Sequence, residues 1–372
     1  MPGIEIKDPV HGNVELTDFE ERLADTPDFQ RLRKIRQLAT ANLVYPGANH
    51  SRFEHSLGTL HLASRIAEKL PLDKDEAEKL RLYALLHDIG HIAFSHEAER
   101  VTTKHLGTHE EIGTKKMLSG EMGEILLERL SRKEITRLGK SAHSEAITSD
   151  IGADRMDYLK RDAYYTGVAY GMVDEQRIIS KMFLEKGALG VEYGALEASE
   201  SLLVARFMMF STVYLHHTVR IASAMLERAL SVAIEDGLDP KLLLGKGDGE
   251  ALALLAQYRR AREYSKSIEE RKLYKQAYSL SPPQFKESEI PKLEAELSSL
   301  AGCDILIDSP ASFVKLSGFL VRTHAGKRQE ISKISELVRS LKSAEESRKK
   351  ALVLAPAQFR EKAEKECARF YS

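Results

Sequence analysis

Eight of the thirteen histidines in this 372-residue chain fall between Asn49 and Glu110. They come in short blocks: Asn-His-Ser-Arg-Phe-Glu-His ending at His55, Leu-Leu-His-Asp-Ile-Gly-His ending at His91, Phe-Ser-His ending at His96, and Thr-His-Glu ending at Glu110. A neutral imidazole next to a carboxylate, as in His87-Asp88, is a mixed nitrogen and oxygen donor pair suited to borderline or hard divalent cations. Histidines beyond those needed as ligands can donate and accept protons near neutral pH. Metal-assisted acid–base chemistry is therefore the expectation for this window.

Helices must position these side chains. Ser51–Leu70 carries one apolar stripe through Phe53, Leu57, Leu60, Ala63, Ala67 and Leu70, and a second through Arg52, His55, Thr59, Leu62 and Ile66. Two stripes at helical spacing predict burial on two sides, with Arg52 and His55 facing inward. Asp73–Asp88 is the next helix, stopped by Gly90, so that His87 and Asp88 sit where the chain turns and His91 lies one turn beyond. His55 on the preceding antiparallel helix can supply a third ligand. Asp154 is the fourth candidate, on a helix whose one face carries Asp154, Tyr158, Arg161 and Asp162, with Arg155 about 100° round.

Each residue alone has a blander reading. A lone interior histidine is usually a hydrogen-bonded core residue, and Asp154, Asp157 and Asp162 beside Arg155, Lys160 and Arg161 also fit a solvated ion-pair face. Three separate segments supplying an inward-facing His or Asp favour the metal centre. Rival motifs fail: His96-Glu97 and His109-Glu110 lack the second histidine of a zinc-protease helix. Gly245-Lys246-Gly247-Asp248-Gly249 matches no phosphate loop and reads as a turn.

Apolar residues make up 42% and charged residues 30%, as in ordinary globular proteins. A net charge of −1 gives no whole-chain attraction to nucleic acid or membrane. The basic clusters Arg259-Arg260-Arg262-Lys266 and Arg348-Lys349-Lys350 read as solvated helix faces. Apolar runs such as Leu202–Phe210, broken by Arg206, are too short to span a bilayer, and the N-terminus shows no secretory pattern. Cys303 and Cys367 lie far from the histidines, which argues against a thiolate zinc site or a disulfide framework. The expectation is a cytoplasmic protein.

Residues 3–17 predict a short hairpin, and Asp25-Thr26-Pro27 starts a helix that carries Phe29, Leu32, Ile35 and Arg36. Further helices are expected at 109–119, 121–138, 143–165, 174–185, 196–235 and 249–278, with no α/β alternation before about residue 300. Ser281-Pro282-Pro283 marks a break. Strands at 304–307, 317–322 and 351–354 then flank a polar helix around 330–341. The predicted fold class is mainly α: a helical bundle over 1–280 with its core at about 50–165, an N-terminal β-hairpin, and a small α+β appendage over 281–372.

At these residues the chain resembles the HD-domain metal phosphohydrolases, and within them the deoxynucleoside triphosphate triphosphohydrolases. The likeness runs through Asp8-Pro9-Val10-His11-Gly12, Asp25-Thr26-Pro27, Phe29-Gln30-Arg31-Leu32-Arg33, Tyr45-Pro46-Gly47-Ala48 and Arg52-Phe53-Glu54-His55-Ser56-Leu57-Gly58. It continues through His87–His96, His109-Glu110 and Asp154–Asp162 to Val213-Tyr214-Leu215-His216.

The resemblance implies an HD-domain helical bundle in which His55, His87, Asp88 and Asp154 hold a divalent metal: iron, manganese or magnesium, with nickel, cobalt or zinc as stand-ins in a crystal. It implies that Arg52, His91, His109, Arg155, Tyr158 and Arg206 line a triphosphate channel. A metal-activated water would attack the α-phosphorus, releasing triphosphate and a deoxynucleoside. His96 would protonate the leaving 5′-oxygen, oriented by Glu99. Gln37, Leu38, Asp162 and Tyr214 would surround the sugar and exclude a 2′-hydroxyl. Asp25, Gln30 and Arg33 match a guanine-nucleotide activator site. Lys7 stands there where an asparagine is expected, Ile4-Glu5 lacks the basic residue, and Phe210 and His217 replace polar and basic residues, so that site is matched only in part. A homo-oligomer, dimer or tetramer, is implied too. The alternatives are another HD-type phosphohydrolase (a nucleotide phosphatase, phosphodiesterase or nuclease) and a non-catalytic nucleotide sensor or nucleic-acid-binding module.

Overall fold

Residues Ile4 to Leu16 form the expected hairpin, β1 (Ile4–Asp8) paired antiparallel with β2 (Gly12–Leu16), Asp8 standing opposite Gly12. Gly12 takes a φ of 80°, a left-handed conformation that costs glycine nothing and lets the chain reverse. The structure is a computed structural model and describes residues 3–141, 143–185, 187–281, 285–309, 318–346 and 350–371. Pro282-Pro283, Ser317 and Arg348-Lys349, singled out from the sequence, lie outside the described residues.

Helix α1 (Asp18–Ala24) starts at a reciprocal Thr17/Glu20 capping box. The helix expected from Pro27 is only one turn, Pro27–Gln30, followed by a 3-10 turn, Arg31–Lys34. It stops because Ile35 and Arg36 extend to meet the loop before the next helix: Arg52 donates its backbone N–H to Ile35 O at 2.9 Å and Gln37 to His50 O at 3.0 Å.

Helix α2 (Arg52–Lys69), capped by Ser51 and Glu54, buries both of its stripes, Arg52 and His55 included, apart from the half-buried Ala67. It packs against α3 (Lys74–Leu86), which Asp73 caps and which ends at His87. α4 (Ser95–Leu106) has no counterpart among the predicted helices; α5 (His109–Met117) does. The helix expected at 121–138 is two pieces, Gly120–Leu127 and Arg132–Ile135. That expected at 143–165 breaks after Thr148, and α6 (Ala153–Thr166) begins after Gly152, whose Cβ would collide with the Ile147 carbonyl. Leu62, Ile66, Ile147, Met156 and Leu159 lie in one buried cluster that joins α2 to α6. Burying each such side chain contributes on the order of 2 kcal/mol.

The fold is mainly α, but strands appear earlier than the sequence suggests. β3 (Met182–Glu185) and β4 (Ala188–Glu192) occupy part of the helix expected at 174–185 and the link after it. α7 (Leu196–Met209) and α8 (His217–Glu235) are separated by a π-helical turn at Phe210–Tyr214. α9 (Asp248–Leu255) and α10 (Arg259–Glu269) precede β5 (Lys275–Leu280), so the helix expected to reach residue 278 ends early. β6 (Leu306–Asp308), β7 (Leu320–Arg322), β8 (Arg328–Glu330), α11 (Glu336–Glu346) and β9 (Ala351–Ala355) complete two small sheets. Their orders are β3-β4-β7-β8, with β4 and β7 parallel, and β5-β9-β6, all antiparallel. β6, β7 and β9 fall at the strands expected at 304–307, 317–322 and 351–354, whereas periodicity missed β3, β4, β5 and β8, because three- to six-residue elements leave too few residues to show an alternation. Among the described residues no helix is long and apolar enough to cross a membrane.

Candidate active site

The C-terminal end of α3, the first turns of α2 and the first turn of α6 converge. His55 on α2 is buried, with Nε2 3.1 Å from Asp154 Oδ1 and 3.7 Å from Asp88 Oδ2. His87 at the end of α3 places its Nε2 3.5 Å from Asp88 Oδ1 and 3.8 Å from Asp154 Oδ1. Its Nδ1 donates to the Ala84 carbonyl at 2.8 Å, which leaves the Nε2 lone pair facing the group, buried and without a hydrogen-bond partner. The four residues expected to ligate a metal are thus brought together. An orphaned imidazole nitrogen among two carboxylates and a second imidazole is a donor set that fits a divalent cation.

The electrostatics agree with that fit. Burial opposes a charge on His55, yet its contacts with Asp154 and Asp157, with Asp88 nearby, push its pKa up to about 10. Burial would likewise raise Asp154, but His55 at 3.1 Å and the nearby His87 ring hold it well below the ordinary carboxylate range. The cluster of carboxylates thus favours positive charge between them. A cation ligated there displaces the His55 proton.

Behind His55 lies a buried array that the sequence reading took as a charge pattern. Asp157 accepts His55 Nδ1 at 2.7 Å, His11 Nε2 at 2.7 Å, and Arg161 Nε and Nη2 at 3.0 and 2.8 Å. Arg161 reaches on to Asp8 at 2.7 Å, so the hairpin turn is tied to the metal-facing helix. Gly58 makes room: a Cβ there would lie 1.8 Å from Asp157 Oδ1. The signal available was the position of Asp157, one helical turn from Asp154 on one side and from Arg161 on the other.

A second group adjoins the first. Glu99 on α4 accepts His96 Nδ1 at 3.1 Å and His109 Nδ1 at 2.9 Å, along with the His109 backbone N–H at 2.8 Å. His91 stacks on His109 with centroids 4.1 Å apart and meets His96 edge-on at 4.8 Å. Burial would raise Glu99, but the hydrogen bonds from His109 and His96 hold it far below the carboxylate range. Burial opposes the His109 charge, and Glu99 more than offsets it. His96 is 67% exposed, which leaves its Nε2 side open. Arg52 links the two groups, donating to Ser95 Oγ at 2.6 Å and to Asp88.

Phe94 and Ser95, at φ 64° and 53°, start α4 in a left-handed conformation. Such strain persists only where the surroundings hold it. Asp248 does so, accepting Phe94 N at 2.9 Å and Arg36 N at 3.0 Å. The glycine-rich turn thus delivers a structural carboxylate that the sequence reading did not single out.

Gln37, Leu38, Ala41, Arg52, His96, Glu97, Tyr158, Asp162, Phe210, Tyr214 and Val219 line a cavity of about 330 Å³. Tyr214 donates to Asp162 Oδ2 at 2.5 Å, and His50 Nε2 lies 2.7 Å from Asp162 Oδ1. All four residues expected at the sugar meet in this one cavity. Arg155 and Arg206 gather on Asp150, at 3.4 and 2.6 Å. Asp25, Gln30 and Arg33 lie apart from the cavity lining, at the corner after α1: Gln30 donates to Ala24 O, Arg33 donates to Gln30, and the Arg33 guanidinium covers the Phe53 ring at 3.5 Å. In the basic cluster of α10, Arg260 pairs with Glu235 and Asp236, and Lys266 with Glu270.

A helical bundle that holds a His-Asp pair between a histidine and an aspartate from two other helices is the architecture of the HD-domain phosphohydrolases. Residues 52–162 match the HD domain and residues 173–371 the HD-associated region. The chain belongs to this family. It is 38% identical to an uncharacterized protein of Methanocaldococcus jannaschii over 91% of its own length and 76% of that protein's. It is 31% identical to a deoxynucleoside triphosphate triphosphohydrolase SAMHD1 homolog of Dictyostelium discoideum, over 73% of this chain and 59% of that one. The crystal structure of a hypothetical protein from Aquifex aeolicus superposes with a TM-score of 0.82 at 32% identity, covering 98% of this chain and 99% of that chain.

Proposed function

We propose that the protein hydrolyses deoxynucleoside triphosphates to a deoxynucleoside and inorganic triphosphate. The observation that carries this reading is the adjacency of the His55, His87 and Asp88 group, with Asp154 beside it, to a cavity of nucleoside size ending at the Asp162–Tyr214 pair, Arg52 lining that cavity and donating to Asp88. The likeness to the Dictyostelium triphosphohydrolase homolog supports it.

In this reading the four donors hold iron, manganese or magnesium, which supplies Lewis acidity for water and charge compensation for phosphate. Water oxygen bonds to the α-phosphorus as the bond from that phosphorus to the 5′-oxygen breaks. His96, held through Nδ1 by Glu99, delivers its Nε2 proton to the leaving oxygen. His109 and His91 stack where they can donate to phosphate oxygens, and Arg52, Arg155, Tyr158 and Arg206 add charge and hydrogen bonds along the chain of phosphates. Gln37, Leu38 and Tyr214 pack on the sugar, Tyr214 fixed by Asp162, so that a 2′-hydroxyl meets an aromatic wall. The partners include a second copy of the chain in a dimer or tetramer, a reading supported by the exposed side chains of Tyr164, Tyr170 and Met172. Sedimentation velocity decides the oligomer.

Product identification tests the chemistry. Incubation with each dNTP and Mn²⁺ is expected to yield deoxynucleoside and triphosphate in equal amounts. Deoxynucleoside monophosphate with pyrophosphate, or diphosphate with phosphate, rules the mechanism out.

A further inference from the structure

One carboxylate in the cavity has no part in the chemistry above. Glu97, on the first turn of α4, lines the cavity with Ala41, Phe210 and Val219. Its side chain forms no hydrogen bond or ion pair with another residue among the described residues. The cavity's other acid, Asp162, has one oxygen on His50 and the other on Tyr214. Asp248 behind Glu97 is likewise occupied, by Phe94 N and Arg36 N. Glu97 is therefore the carboxylate in this cavity that no other described residue engages, while the buried Gln37 Oε1 is a neutral acceptor also without a partner, and the strained Phe94-Ser95 start of α4, pinned by Asp248, fixes where Glu97 stands. Burial pushes its carboxyl up, with Asp248 adding to the rise and its own backbone N–H, His96 and Arg52 opposing it, which marks a site favouring an added hydrogen-bond donor.

The ligand chemistry follows from what surrounds the carboxylate. A phosphate would bring like charge. A sugar hydroxyl is met by Gln37 and by the Asp162–Tyr214 pair. The apolar side chains of Ala41, Phe210 and Val219 that line the cavity with it suit a flat ring instead. A carboxylate offers two acceptor oxygens side by side. Among the four bases, guanine alone carries two adjacent N–H donors on one edge, the ring N1–H and the 2-amino group. Adenine and cytosine place a ring acceptor beside their amino group, and thymine flanks its single N–H with two carbonyls, each of which repels a carboxylate.

We propose that Glu97 is a base-selecting residue that accepts hydrogen bonds from the Watson–Crick edge of the substrate and gives the cavity a preference for guanine. This rests on the dNTP reading of the same site. Such a paired contact is worth about tenfold or more in discrimination against a base that lacks it.

The experiment compares wild type with Glu97→Gln and Glu97→Ala in two measurements. The first is kcat/KM for dGTP and dTTP with Mn²⁺; the second is calorimetric binding of deoxyguanosine and thymidine, which needs no turnover. The dGTP:dTTP ratio of kcat/KM and the deoxyguanosine:thymidine ratio of affinities are both expected to fall by about tenfold in each variant. An equal change for both bases, or no change, overturns the assignment of Glu97. Loss of deoxyguanosine preference in the binding arm, in a protein that releases no triphosphate from any dNTP, overturns the proposed reaction and leaves the Glu97 assignment standing.

Discussion

His55 donates through Nδ1 to Asp157 at 2.7 Å, and that one contact sets which ring nitrogen meets the Asp88 and Asp154 carboxylates. An ionised carboxylate only accepts, so the proton between them belongs to His55, and Nε2 is the nitrogen turned toward Asp154 and Asp88. Asp157 is itself fully buried and compensated by Arg161 and His11.

Asp157→Asn therefore keeps the shape but weakens the acceptor for three donors. Loss of such an orienting partner typically costs 10–100-fold in metal affinity. Calorimetric titration with Mn²⁺ is expected to show a weakening in that range. Asp157→Ala goes further, leaving Arg161 buried with its main partner gone, and is expected to cost about 3–5 kcal/mol in urea unfolding. Wild-type metal affinity in Asp157→Asn would detach His55 orientation from the metal centre.

His87→Ala or Asp88→Ala removes a donor from the group that could hold the cation. Each is expected to lose bound metal and turnover together, read by metal analysis of the purified protein and by triphosphate release. His96 is exposed and bonded to Glu99, outside the donor group, so His96→Ala is expected to keep its metal and lose about 10²–10⁴-fold in kcat. Full activity in His96→Ala would remove it as the proton donor.

Gly58→Ala tests the close approach of α2 and α6. The added methyl would press on Asp157 Oδ1 and on Arg161 Nη2, both fixed in a buried array, so neither can swing aside. Overpacking of this kind costs about 1–3 kcal/mol. Thermal unfolding of the variant is expected to drop by several degrees; an unchanged midpoint would mean that the array yields without cost.

The grouping of the candidate donors was legible because long helices fix their facing: the double stripe of α2 placed His55 inward, and the end of α3 placed His87 and Asp88 at a turn. Asp157 and Asp248 were not, since an aspartate on a helix face reads as a surface charge, and one in a glycine-rich stretch as part of a turn, until partners from 146 and 154 residues away are known. The break before α6 and the short strands β3 to β5 escaped for a related reason. Gly152 acts through a tertiary clash, and β4 is held by β7, far along the chain, rather than by its own pattern. Local periodicity describes a face; it does not say what covers it.

Glu227 on α8 offers a test by pH. It pairs with Arg100 at 2.9 Å, yet burial, with Asp308 and Glu97 nearby, outweighs that cation and raises its pKa from the ordinary 4.5 to about 7. Arg220 is engaged with Asp308 on the same side. Below about pH 4.5 both the folded and the unfolded chain carry the proton. Between the two values the unfolded chain gives it up first, so the folded state holds more protons and stability falls as pH rises, until the folded group ionises near 7. Glu227→Gln cannot ionise and is expected to escape this fall. Urea unfolding at about pH 5 and about pH 8 should show wild type losing on the order of 1–3 kcal/mol more than the variant between the two. The lost Arg100 contact adds little, because that arginine is 40% exposed and its pair is screened. Equal losses in wild type and Glu227→Gln would mean that Arg100 fully offsets the burial and leaves the Glu227 carboxyl unshifted on folding.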